Sequence, residues 1–110
     1  MAQELSALPE SFAAGTTVRY RRRLGDYPAG AGWTLTLHLA GASVLAKTAA
    51  VDGDDFLVTI EAADTDGDFS AGLYKWVERV SNTGGEVYEV GRGTVTVLSN
   101  LAEASEGSEQ

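Results

Sequence analysis

The chain contains no cysteine, which excludes disulfide bonds and thiolate metal sites and leaves the redox compartment unmarked. It has a single histidine, His38, so a histidine metal cluster is excluded and any histidine-dependent triad would have to use that residue. No apolar run approaches the roughly 20 residues that cross a bilayer. The first ten residues carry Glu4 and Glu10 instead of a basic end before an apolar stretch, so a soluble chain made in the cytoplasm, with no membrane partner, is expected. Basic residues are scarce: 8 Lys and Arg stand against 16 Asp and Glu, a formal net charge of -8. Phosphate binding is driven mainly by cations displacing counterions, so generic nucleic-acid binding is not expected. The sequence also lacks a Gly-x-Ser-x-Gly elbow, and Gly91-Arg92-Gly93 is too short to cradle a phosphate and opens no helix. Neither an enzyme nor a cofactor is expected.

What is present is alternation. In Trp33-Thr34-Leu35-Thr36-Leu37-His38-Leu39 apolar and polar side chains swap at every step, as a half-buried strand requires. This run places His38 on the polar face, the position of a surface or interface histidine. Similar runs recur between Gly and Asp clusters, and the expected strands are 16–22, 33–39, 44–51, 56–61, 72–80, 86–90 and 94–98. About seven antiparallel strands make an all-β fold, a small sandwich or partly closed barrel compatible with an immunoglobulin-like topology. At 110 residues this is one domain. Its expected bounds are 15–100, with residues 1–14 as a flexible arm and 101–110 as a disordered acidic tail carrying Glu103, Glu106 and Glu109.

Several local patterns point to chemistry. Asp64, Asp66 and Asp68 alternate as at the start of a calcium loop, but the glycine comes too early and Lys75 stands where a closing Glu belongs. A solvated loop is the competing reading. Asp52-Gly53-Asp54-Asp55 is a second acidic turn and a hairpin signal. Tyr74, Trp76 and Glu78 share one strand face, so either that strand leaves the core or Glu78 meets a basic partner. Arg19, Arg21, Arg22 and Arg23 concentrate half the basic residues in one strand and its exit. In an acidic chain this makes a two-signed surface suited to orienting protein docking, unless the arginines pair with the domain's own acids. Tyr27 and Pro28, on the Gly-rich loop Asp26–Gly32, would extend that surface or pack over the end of the sandwich.

Two stretches resemble a known group of proteins. One is Phe12-Ala13-Ala14-Gly15-Thr16-Thr17-Val18-Arg19-Tyr20 leading through Asp26-Tyr27-Pro28-Ala29 to Gly32-Trp33-Thr34-Leu35. The other is Ala71-Gly72-Leu73-Tyr74-Lys75-Trp76 leading to Tyr88-Glu89-Val90-Gly91-Arg92-Gly93-Thr94-Val95-Thr96-Val97. Together they resemble small β-rich structural proteins from the morphogenesis region of tailed bacteriophages and prophages, among them head-tail joining or stopper proteins of the lambda-like kind. The resemblance implies a non-catalytic virion protein, assembled in the host cytoplasm. It would dock as an oligomeric ring with copies of itself, between the portal-adaptor ring and the tail proteins. The expected contact residues are Arg19, Arg21, Arg22, Arg23, Tyr27 and Pro28. A capsid-decorating or baseplate-associated immunoglobulin-like domain is the structural alternative, and a calcium- or carbohydrate-binding β module is the alternative from another class.

Overall fold

The computed structural model describes residue 5, residues 7–67 and residues 69–99. Its elements are β1 (Ser11–Ala13), β2 (Val18–Arg22), β3 (Thr34–Ala40), β4 (Val44–Thr48), β5 (Ala50–Asp52), β6 (Asp55–Ile60), β7 (Gly72–Ser81) and β8 (Val87–Leu98), with short 3-10 turns at Ala29–Ala31 and Ala62–Asp64. The fold is all-β. A curled five-stranded sheet in the order β1-β8-β7-β3-β4 packs on a three-stranded sheet in the order β2-β6-β5. All strand pairs are antiparallel except β1 with β8, which is parallel.

The core follows the alternation. Leu35, Leu37 and Leu39 of β3 are fully buried, as are Phe56, Val58 and Ile60 of β6, and Val95 and Val97 complete the face from β8. Burial of these side chains on facing sheets supplies the main driving force, about 1.5–3 kcal/mol for each fully buried aliphatic or Phe side chain. The β5-β6 hairpin forms at the acidic turn, where Asp52 pairs with Asp55. Gly53 alone takes a positive φ there, +64°, the pattern of a type II′ turn with Gly at its first central position.

Three boundaries differ from expectation. The strand expected over 44–51 is two strands in different sheets. The chain changes sheet at Ala49, whose N–H donates to the Leu35 carbonyl at 2.8 Å. The two strands expected over 86–90 and 94–98 are one continuous β8, with a register shift opposite Glu78 and Arg79. The N-terminal arm, finally, is largely part of the sandwich in its described residues. Leu8, Phe12 and Ala14 are buried, and the Ala14 N–H donates to the Leu98 carbonyl at 2.8 Å. Leu5 covers the outer edge of β2 by accepting from the Arg21 N–H at 2.7 Å and donating to the Arg19 carbonyl at 3.1 Å. The expected tail, 101–110, lies outside the described residues.

Candidate docking surface

The arginine strand divides by face. Val18, Tyr20 and Arg22 point between the sheets, while Arg19 and Arg21 point away. Arg22 therefore leaves the expected surface for the interior, where its Nε donates to Glu78 Oε1 at 3.0 Å and its Nη2 to the Val90 carbonyl at 3.3 Å. The Tyr20 hydroxyl donates to Glu78 Oε2 at 2.7 Å. Both oxygens of Glu78, which is 1% exposed, are thus occupied. Glu78 meets a basic partner, as one of its two expected alternatives required. Burial, with the adjacent Glu78 carboxylate, pushes the Tyr20 phenol far above its ordinary range.

Gly91 is part of the same arrangement. A Cβ on Gly91 would lie 2.6 Å from Glu78 Oε1, and one on Gly93 would lie 3.0 Å from the Trp76 ring. The Gly-Arg-Gly step, which falls between the strands expected over 86–90 and 94–98, is where β8 leaves room for two large β7 side chains. A side chain on either glycine would overpack the site.

On the outward face, Arg21 and Arg23 close on the acidic turn. Arg21 Nη1 lies 2.9 Å from Asp52 Oδ2 and 3.2 Å from Asp55 Oδ2. Arg23 forks onto Asp55 with bonds of 2.8 and 3.1 Å, the bidentate geometry that gives guanidinium–carboxylate pairs their directionality. The Arg23 hydrogen bond is the main reason the Asp55 carboxyl sits below its usual range, with Arg21 adding to it. Among the described residues the Arg19 side chain makes a long 3.4 Å contact to Thr59 Oγ1. Arg21, Arg22 and Arg23 thus pair with the domain's own acids, and what faces solvent is a two-signed groove. Arg21, Arg23, Leu24, Pro28, Asp52 and Asp54 line it, with a volume of about 560 Å³.

Tyr27 leaves the groove's rim for an aromatic cluster. Its ring stands edge-on to Trp33 at 4.9 Å and stacks on Tyr88 at 5.5 Å. The loop that positions it is anchored by Ala29, whose N–H donates to the Asp54 carbonyl at 3.1 Å, and it turns at Gly32 with φ +95°. Tyr27 therefore packs over the end of the sandwich while bordering the charged groove. Tyr88 and its neighbour Val87 remain 42% and 55% exposed. Neither appears among the expected contact residues. The available signal was the unpaired apolar step Val87-Tyr88 inside the polar context Glu86 to Glu89.

Of the alternating aspartates, Asp64 and Asp66 turn to different partners. Asp64 pairs with Lys47 Nζ at 2.9 Å and accepts from the Glu61 N–H at 2.8 Å, and Lys47 holds its carboxyl below the usual range. Asp66 accepts from the Gly67 N–H, and Asp68 lies outside the described residues. Among the described residues, no three of His, Cys, Asp and Glu come together as a metal site would require. No protein-family model and no curated protein matches the chain.

Proposed function

We propose that this chain is a non-enzymatic structural subunit of a tailed-bacteriophage virion, a head-tail connector. It docks to its ring neighbours through the end of the sandwich formed by the Arg23–Pro28 loop and the start of β8. The carrying observation is the composition of that end: partly exposed Tyr27, Trp33 and Tyr88, exposed Val87 on the opposite face of the same strand start, and the neighbouring groove with Arg23 and Asp52, whose side chains are 81% and 60% exposed. Tyr, Trp and Arg dominate the few residues that supply most of the energy in protein interfaces, and a charged rim orients the encounter. The resemblance of Phe12–Tyr20, Asp26–Ala29 and Gly32–Leu35, and of Ala71–Trp76 with Tyr88–Val97, to phage joining proteins supports the portal-adaptor ring, the tail proteins and further copies of the chain as its partners.

The test is assembly with Val87→Asp and Tyr88→Ala variants, chosen because both side chains are exposed and leave the core intact. Each is expected to melt near the parent temperature yet accumulate unjoined heads and tails. Loss of an aromatic interface anchor costs roughly 2 kcal/mol or more. Normal yields of joined particles from both variants would remove this end of the molecule from the interface. Arg23→Glu is a less direct probe, since it also strips Asp55 of its fork.

A further inference from the structure

The outer face of the five-stranded sheet has a charge opposite in sign to the chain as a whole. Strand alternation places His38 of β3, Lys75, Val77 and Arg79 of β7, and Arg92 and Thr94 of β8 on this face, because Leu37, Tyr74, Glu78 and Val95 point to the core. The register puts His38 beside Val77 and Val77 beside Arg92, with Lys75 beside Thr94. A shallow groove of about 390 Å³ runs over His38, Lys75, Val77, Arg92 and Thr94. Glu89 is the acid in this region of the face, and it is paired with Arg92. Among the described residues Lys75 forms no ion pair, while Arg79 stands opposite Glu89 in the ladder and helps Arg92 hold that carboxyl below its usual range. The same face is apolar at the end where β8 finishes, with Leu73 and Leu98 exposed by 65% and 48%. They sit diagonally across the β7-β8 ladder, within side-chain reach of each other.

We infer that this face is the docking surface of the chain's own C-terminal segment, residues 101–110. That segment presents one large apolar residue, Leu101, followed by Glu103, Glu106 and Glu109, with no Lys or Arg. The order of its residues matches the order of the surface from the point where β8 ends: apolar at Leu73 and Leu98, then cationic at Lys75, Arg92 and Arg79. The reach is sufficient. Arg92 lies six residues back along β8 from Leu98, about 20 Å at strand spacing. Residues 99–110 extended would span up to about 40 Å, so a reversal at Ser99-Asn100 still carries Glu106 to the level of Arg92. Attachment to the same chain gives the segment a high effective concentration at this face, so individually weak contacts suffice. Acidic segments of other proteins would have to displace it.

The absence of cysteine permits a direct test. A Ser108→Cys variant of the full chain takes one nitroxide label, and amide signal intensities are compared before and after reduction of the label. The expected result is loss of most intensity at His38, Lys75, Val77 and Arg92, unchanged on dilution. Recovery is expected at about 1 M salt, where the screening length falls to about 3 Å. A Lys75→Glu/Arg79→Glu variant, altered only on the solvent face, should lose the effect while its core resonances stay in place. Broadening confined to residues next to the label in sequence, broadening over the Arg21–Arg23 end, or an effect that survives the double charge reversal would overturn the proposal.

Discussion

At the scale of single residues, the decisive contact is the buried carboxylate of Glu78. One arginine and one phenol satisfy it, and each would be left without its buried partner if Glu78 were truncated. Removing one member of a buried charge pair is far costlier than the pair's net worth, because the remaining charge stays desolvated. Glu78→Ala is therefore expected to destabilise the fold by about 3 kcal/mol, toward the low end for such pairs because Arg22 keeps some solvent contact. Tyr20→Phe, which deletes one bond to the same carboxylate, should cost about 1.5 kcal/mol. Urea unfolding of the two variants measures both, and equal losses would show that Glu78 acts as a volume rather than as a charge. Asp55 behaves differently. Its folded pKa is depressed, so its contribution is fully present above the unfolded value of about 3.9 and disappears as pH falls below that through the folded pKa. The urea midpoint of the parent should accordingly drop between about pH 5 and pH 2. Asp55→Asn should start lower at neutral pH and show a shallower drop over that window. Parallel curves would mean that the Arg23 fork adds nothing to stability.

At the scale of elements, the least conspicuous strand ties the two ends of the chain together. β1 is three residues long, yet Phe12 is buried and the segment pairs in parallel with the last strand. Phe12→Ala should destabilise by about 3 kcal/mol, measurable as a lowered melting temperature, whereas a mobile arm would leave the temperature unchanged. This element was not legible in the sequence, because three residues with one large apolar side chain have no period to detect. Longer runs were legible: the faces of β3, β6 and the second half of β8 follow directly from alternation at Leu35–Leu39, Phe56–Ile60 and Thr94–Leu98. The sheet change at Ala49 was hidden for a different reason. Both β4 and β5 are extended, and nothing local marks a strand that exchanges one hydrogen-bonding partner for another. The glycines of β8 read locally as a break, although their cause is the bulk of Trp76 and Glu78 on the neighbouring strand. The arginine cluster was visible as composition, but its destination was not. Alternation predicts that Arg22 lies on the Tyr20 face, while only the fold brings Glu78 opposite it.

At the scale of the whole molecule, the protein is an acidic sandwich with two distinct surfaces. One end combines aromatic rings with a groove in which arginines and aspartates neutralise one another. The outer face of the large sheet holds Lys75, Arg79 and Arg92 against the one carboxylate of Glu89 among its described residues. Charge segregation of this sort sets the orientation and rate of encounters more than their final affinity, as the proposed docking in one pose would require. We propose that this chain belongs to the neck of a phage particle. Quantitative mass spectrometry of purified particles, giving this chain's copy number relative to the portal and the major capsid protein, tests it most directly. A copy number close to that of the portal ring is expected. A count close to that of the capsid protein, or absence of the chain from particles, would contradict it.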